Sequence, residues 1–510
     1  MHQRKLKALA LLILASVAVA PIQSEPQTKK KQTTRKTTRR PAKKPARAAA
    51  PKIPAATAPR SAGQLAADMA SVAGRVRSGQ FGIMAVSLTR GDTLYQMNAG
   101  TPLMPASTMK MLTTAVALER LGPQYQFSTD VLYDGTLGSD GTLNGNVYLR
   151  GDGDPSLSGR YMTGGPEAPM NYLADQLVAR GVKRVTGSVI GDATAFDDQK
   201  IPEGWLTRYL QAGYAARVSG LTLNENLVWV TVTPGAVKLE PATTAMTVVN
   251  KVRTVGGSGA RLSVRRDLSG TITVSGTIGS RSGPRRYVYV VEDPPSFATG
   301  ALQAAMVAKG IQVNGGIRLG QTPSSAVKIA SLKSPTLDRI IAAMNRESIN
   351  IFAELLMRNA VRGKDHEKQG TAANGQALLR NFFATKVHSD TLHLEVSDGS
   401  GLSTLDRVTP RMMTQMLGYA HNASWGPTFH ASLPVAGESE LLKRRMRGGE
   451  AQGNLHAKTG TTNDVIGLGG YVTAMNGEVI AFSFIYNGRD RWTAKSMIDV
   501  MGQTLANFAR

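Results

Sequence analysis

A serine and a lysine three residues apart, Ser107 and Lys110 in PASTMK, open an apolar run that extends to Leu121. Serine is a weak nucleophile and lysine is costly to bury, so the pair makes chemical sense if one activates the other. With a helix starting at Ser107, positions i and i+3 share a face. The hydroxyl then lies at the positive helix N-terminus, where an alkoxide or oxyanion is favoured. Lys110 reaches back over the same turn. An unperturbed lysine is neutral about once in 2,500 molecules at pH 7. Lowering its pKa by about three units takes about 4 kcal/mol, which desolvation and a second cation can supply. A neutral amine there is a general base for the serine. Taken alone, S-x-x-K is common and reads far more often as a helix cap followed by a lysine that snorkels to the surface.

Two other places carry polar groups at suggestive spacings. In RESINIFAELL, Ser348 and Asn350 fall at a helix–helix junction. Facing a cleft, the hydroxyl could pass a proton and the amide could bind a carbonyl; Ser348 or Asn350 could equally be an N-cap. In HAKTGTTNDVIGLGGYV, the run Lys458-Thr459-Gly460-Thr461 reads as a strand. Alternation sets Lys458 and Gly460 on one face. The ammonium and hydroxyls suit a carboxylate, and glycine leaves room for a ligand backbone.

In this order, S-x-x-K, S-x-N and K-T-G are the motif set of penicillin-recognising serine acyl-transferases. The chain resembles the large D-alanyl-D-alanine carboxypeptidase/endopeptidase family of the penicillin-binding protein 4 type. The phrases IPEGW, LTLNENLVWVTVTPG, MNRESINIFAELLMR, DGSGLSTLDRVTPR and SLPVAGESE carry the resemblance further, over residues 61–510. About 240 residues separate Ser107 from Ser348, and in this family such a gap holds inserted domains.

The resemblance implies a mechanism. Ser107 attacks the carbonyl of the terminal D-Ala–D-Ala bond, Lys110 takes its proton, and Ser348 relays a proton to the leaving amine. Asn350 holds the acyl chain, and Lys458, Thr459 and Thr461 bind the terminal carboxylate. The N–H groups of Ser107 and Thr461 form the oxyanion hole, each worth about 3–4 kcal/mol. Peptidoglycan stem peptides are the implied substrates, cross-links between them a second target, and β-lactams the implied inhibitors. No metal or cofactor is called for. Two positions depart from the family pattern. Ile349 stands where aspartate is frequent, and Thr404 stands where arginine often meets the charged end of the stem peptide. Asp192, in IGDATAF, resembles an acid that contacts that side chain's amine.

These residues need elements to position them. Leu65, Met69, Val72 and Val76 have helical spacing; FGIMAVSL and TLYQMNAG read as a hairpin across Gly91-Asp92. Residues 131–325 turn to short β-patterned runs with a single expected helix near 296–309. Helices return in TLDRIIAAMN, NIFAELLMRNAV, TAANGQALLRNFFATK and TPRMMTQMLGYAHN. Three strands and a last helix close the chain, with Asn476-Gly477 as a hairpin turn. The expectation is an α+β protein: a catalytic domain from residues 61–130 and 326–510, an antiparallel sheet flanked by helices, interrupted by β-rich inserted domains.

Charge is unevenly placed. Of the net +24 over 510 residues, residues 1–20 carry +3 and residues 21–60 carry +11, leaving +10 for the remaining 450. Residues 1–20 read as an export signal: Arg4, Lys5 and Lys7, an apolar run, then Ala18-Val19-Ala20. An uncleaved N-terminal anchor is the other reading. Residues 21–60 are a Pro/Ala/Thr/Lys/Arg linker without the apolar residues to fold alone, a spacer or a tether to anionic envelope polymers. Without aromatics it is poorly suited to stacking on nucleic-acid bases. The chain has no cysteine, which excludes thiol catalysis and disulfides. It lacks G-x-S-x-G and H-E-x-x-H, the marks of an elbow-type serine hydrolase and of a zinc peptidase. The expected location is the periplasm or outer envelope of a bacterium. A serine β-lactamase, or a scaffold that merely binds penicillin, would use the same three motifs.

Overall fold

The structure is a computed structural model that describes residues 53–510 apart from 268, 269 and 367. The expected export signal and most of the basic linker lie outside the described residues. The linker's expected last residues are ordered: the carbonyls of Thr57 and Pro59 accept from Asn507 Nδ2 and the Ala509 amide, both at 3.0 Å.

Both ends of the described chain build one antiparallel sheet. Its strand order is His456–Thr461, Val465–Thr473, Val479–Asn487, Gln80–Ser87 and Thr93–Met97. Period-two alternation sends side chains to two cores. On Val479–Asn487, Ala481 and Ile485 join one buried cluster while Ile480, Phe482, Phe484 and Tyr486 join the other. Helices Ala62–Ala73 and Arg491–Ala506 cover the second face through Leu65, Met69, Met497, Ile498, Met501 and Leu505. The first face carries Lys110–Leu121, Leu337–Glu347, Asn350–Arg362 and Pro410–Asn422. Lys110–Leu121 is buried nearly all round, from Lys110 to Leu118 and again at Leu121, in keeping with its mostly apolar sequence.

Between these parts lies a β-rich block. Its largest sheet runs Ile317–Leu319, Val189–Asp192, Val147–Arg150, Ser128–Tyr133 and Val327–Lys333. The strand Ser128–Tyr133 spans the expected boundary at 130, Val327–Lys333 begins one residue past the one at 326, and the two pair antiparallel with each other, so the chain enters and leaves the block side by side. The block has a core of its own, centred on Val131, Leu149, Leu173, Val189 and Leu302. It holds two long helices where one was expected: Pro294–Ala308 and also Ala168–Ala179. Met170, Leu173, Ala174 and Leu177 are buried at helical spacing on the second, a pattern present in the sequence but overlooked beside the glycines and prolines that precede it.

Candidate active site

Ser107 sits in a short 3-10 turn, Ala106–Met109, that leads into the Lys110–Leu121 helix. The helix thus begins a turn later than the spacing suggested, yet Ser107 and Lys110 still share a face. Ala106 just ahead holds a φ of 47°, a left-handed conformation costly for a side chain with a Cβ. The turn is clamped from outside. A Cβ at Gly460 would lie 2.7 Å from the Pro105 carbonyl, and one at Gly401 would collide with the Ala106 carbonyl. Gly460 therefore makes room for the nucleophile's own turn rather than for a ligand backbone, a correction to the sequence-based expectation.

Lys110 is fully buried, and its Nζ makes three contacts. It reaches Ser107 Oγ at 3.1 Å, Asn350 Oδ1 at 2.6 Å and the Ser400 carbonyl at 2.8 Å. The last two partners are acceptors only. A neutral amine has two N–H donors and one lone pair. With both donors held by Asn350 and Ser400, the lone pair faces the Ser107 hydroxyl. Burial lowers the Lys110 pKa to about 8, against partial restoration by the Asp398, Glu354 and Asp406 charges. At pH 7 roughly one molecule in ten then carries a neutral amine, far more than for a free lysine.

A second lysine–serine pair stands beside it. Ser348, the αL cap of helix Leu337–Glu347 (φ 60°), accepts from Lys458 Nζ at 2.9 Å. Lys458 is fully buried on the edge strand His456–Thr461 and also donates to the Thr459 carbonyl. Burial pushes its pKa well down, and the neighbouring Lys110 charge pushes it further. Asn350 is the first residue of its helix; its Nδ2 donates to the Tyr214 carbonyl of the β-rich block at 2.9 Å. Ile349 packs against the helical core, so its side chain turns away from these groups. Thr459 is buried and Thr461 exposed.

The three motifs thus converge through hydrogen bonds. Asp192 does not join them. Its carboxylate accepts from the Thr194 amide and hydroxyl and from the Thr322 amide, all within the β-rich block. Thr404 donates its hydroxyl to the Gly204 carbonyl at 3.2 Å.

Sequence reasoning missed a layer of carboxylates beneath the lysine. Asp398 begins DGSGLST, and its carboxylate accepts from the amides of Ser400, Gly401, Leu402 and Ser403, the Ser400 hydroxyl and the Trp205 indole. That clamp fixes the Ser400 carbonyl, which holds Lys110. Glu354, one turn after Asn350, accepts from the Gly399 amide at 3.2 Å. Its carboxyl is pushed up to about 7 by burial and by Asp398. Asp406 is raised well above the usual carboxylate range for the same two reasons. The signal was present: acids one helical turn after the S-x-N asparagine and at the head of a glycine-rich loop.

A helix-flanked antiparallel sheet whose edge strand carries K-T-G beside a serine–lysine helix start is the arrangement of the penicillin-recognising serine enzymes. The chain belongs to the D-Ala-D-Ala carboxypeptidase 3 (S13) family, whose model matches residues 62–508, and is therefore a hydrolase of that type. It is 32% identical over 450 residues to a D-alanyl-D-alanine carboxypeptidase of Actinomadura sp. (strain R39), covering 84% of this chain and 81% of the relative. It is 25% identical to the D-alanyl-D-alanine carboxypeptidase DacB of Haemophilus influenzae, over 80% of this chain and 85% of that one. Its fold matches the crystal structure of penicillin binding protein 4 (dacB) from Haemophilus influenzae with a TM-score of 0.71, at 22% identity, over 86% of this chain and 98% of the other. A second structure of that protein, complexed with a novel β-lactam, matches with a TM-score of 0.67.

Proposed function

We propose that this chain removes the terminal D-alanine from peptidoglycan stem peptides through an acyl-enzyme on Ser107. Ser107 Oγ attacks the carbonyl of the penultimate D-alanine while Lys110 Nζ takes the hydroxyl proton. The C–N bond then breaks, and the leaving amine receives a proton through Ser348 from the adjoining lysines. Water attacks the ester, Lys110 again accepts the proton, and Ser107 is released. Lys458, Thr459 and Thr461 hold the substrate's terminal carboxylate, and the Ser107 and Thr461 amides receive the oxyanion.

One observation carries this reading: Lys110 Nζ lies 3.1 Å from Ser107 Oγ with Asn350 Oδ1 and the Ser400 carbonyl as its other partners, so that in the neutral form both N–H donors are taken and the lone pair is left for Ser107. The outer edge of His456–Thr461 supports it: it is bridged at His456 by Val435, and among the described residues no strand pairs with it beyond Ala457, so an extended peptide can align along the remainder. The same attack on a D-Ala bond to a neighbouring stem peptide gives D,D-endopeptidase action. A β-lactam acylates Ser107 because its strained amide occupies the position of the scissile bond.

We further read the region between Ser128 and Lys333 as inserted domains, and the enzyme as exported to the bacterial envelope. There the basic residues 21–52 would tether it to anionic polymer. Mass spectrometry after incubation with benzylpenicillin tests the core of the proposal. One adduct on the peptide containing Ser107, with D-alanine released from a pentapeptide in parallel, is the expected result. No adduct, or an adduct that persists in Ser107→Ala, overturns it.

A further inference from the structure

A second cleft opens where the β-rich block meets the helical part, remote from the nucleophile. Its volume of about 400 Å³ is within the range of small-ligand sites, and all but Gly151 and Ala195 of its lining residues carry polar side chains. Ser128, Arg150 and Thr194 line it from the block. Arg362, His366 and Lys368 line it from the end of helix Asn350–Arg362 and the turn that follows. Asn350, bonded to Lys110, stands at the other end of that helix. The helix, about 18 Å long at its normal rise, thus separates this cleft from the catalytic groups.

The carboxylates of the cleft are already satisfied. Asp130 accepts from the Ser128 and Ser331 hydroxyls at 2.8 and 2.7 Å, from Arg150 Nη2 at 3.0 Å and from Lys328 Nζ at 2.9 Å. Asp152 is paired with Arg362 Nη1. The cations are not. The Arg362 side chain is only 10% exposed, and its Nη1 is taken up by Asp152 and Asn359. Among the described residues nothing accepts from its Nε or Nη2, and neither atom is sealed from solvent. Arg150 commits one nitrogen to Asp130. Lys368 is exposed and has no salt bridge among the described residues. With Lys328, four cations meet two carboxylates. Acceptors for hydroxyl groups stand beside them. Gln369 spends its Nε2 on the Thr194 and Phe196 carbonyls, which leaves Oε1. Burial lowers the His366 pKa, so the ring is neutral at pH 7; Nε2 meets the Tyr125 hydroxyl at 2.9 Å, which leaves Nδ1. A guanidinium with two N–H groups spare matches a phosphate, and two further cations suit an anion with more than two acceptor oxygens.

We propose that this cleft binds the phosphate ester of a sugar, with Arg362, Arg150 and Lys368 on the phosphate and Gln369 and His366 on the sugar hydroxyls. The site is separate from Ser107 and does not depend on the peptidase reading. A free sugar phosphate and a phosphorylated sugar within a polysaccharide present the same chemistry to it.

The test is titration calorimetry of the full chain at low salt, with glucose 6-phosphate and with glucose. We expect saturable binding of the phosphate at a Kd of about 1 mM or tighter and no heat from glucose. Arg150→Gln with Lys368→Gln should weaken binding by about tenfold or more. Asp130 keeps Lys328 and both serines in that variant, so the fold should stand, and a thermal melt checks it. Lys251→Gln with Arg253→Gln removes the same charge from exposed positions of strand Val248–Val255 and should change the Kd by less than about twofold. Acetylation of the unmodified chain gives a second readout: glucose 6-phosphate should protect Lys368 and leave Lys251 reactive. Phosphorylated dextran separates the two sources. A cleft-dependent gain per phosphate over the free ester assigns the ligand to a polymer, and no gain assigns it to a free sugar phosphate. Absence of saturable binding, an equal loss in both double variants, or equal acetylation of Lys368 with and without glucose 6-phosphate overturns the proposal.

Discussion

Lys458 donates to Ser348 at 2.9 Å, so each of the two motif lysines is bonded to a motif serine. The pairs differ in exit. Lys110 is hemmed in by acceptors, whereas in the proposed reaction Ser348 carries the proton from Lys458 to the leaving amine. Ser348→Ala should slow acylation by about a hundredfold, the lower end of what a positioned proton carrier contributes. It should leave the fold intact, since the αL position it occupies accepts a small residue at modest cost. Stopped-flow acylation with a chromogenic cephalosporin checks this; an unchanged rate would remove Ser348 from the proton path.

Protonation of Lys110 should govern the pH profile. Its folded pKa of about 8 lies below the free value, because burial disfavours the ammonium. The second-order rate of penicillin acylation should therefore climb with pH and level off above about 8. Lys110→Arg should lose about a thousandfold or more, because guanidinium stays charged and cannot accept the proton.

Glu354 makes a stability prediction of the opposite sign. Its folded pKa of about 7 lies above the unfolded value of 4.5, so the protonated carboxyl is the form the fold prefers. The contribution is whole below pH 4.5 and is lost as pH rises to 7. Integrated over that window it is on the order of 3 kcal/mol. Glu354→Gln keeps an oxygen for the Gly399 amide without the titration. Urea denaturation should show the variant gaining on the parent between pH 4.5 and 7, and a constant difference would contradict the account.

Steric closure around the nucleophile gives a further test. Gly460→Ala puts a methyl 2.7 Å from the Pro105 carbonyl, whose backbone cannot yield without moving Ser107. Acylation should fall by at least tenfold with a loss of roughly 1–3 kcal/mol of stability, as overpacking commonly costs. Gly316→Ala, with nothing within 4 Å of the added methyl, is the control.

The three motifs were legible in the sequence because each is a local spacing: one helical turn, one junction, one strand. The hairpin and the helices of both chain ends followed from apolar period for the same reason. What lay beyond reach is set by long-range packing. Nothing local tells that Gly460 faces Pro105 rather than a ligand, or that Ala106 is held at positive φ by a glycine loop almost 300 residues away. Asp398, Glu354 and Asp406 read as ordinary polar residues until folding buries them together. Asp192 shows another side of this: a resemblance suggested a substrate contact, and only the fold shows its carboxylate accepting from Thr194 and from Thr322, far away in sequence.

The bond from Asn350 to the Tyr214 carbonyl means that the part of the molecule carrying the three motifs cannot be had on its own. Deleting the stretch from Ser128 to Lys333 to obtain a minimal enzyme would strip Asn350 of an orienting acceptor and Asp398 of its indole donor at one stroke. A trimmed version would have to supply both from new loops before its groove could hold a peptide, so miniaturisation must proceed by redesign rather than excision.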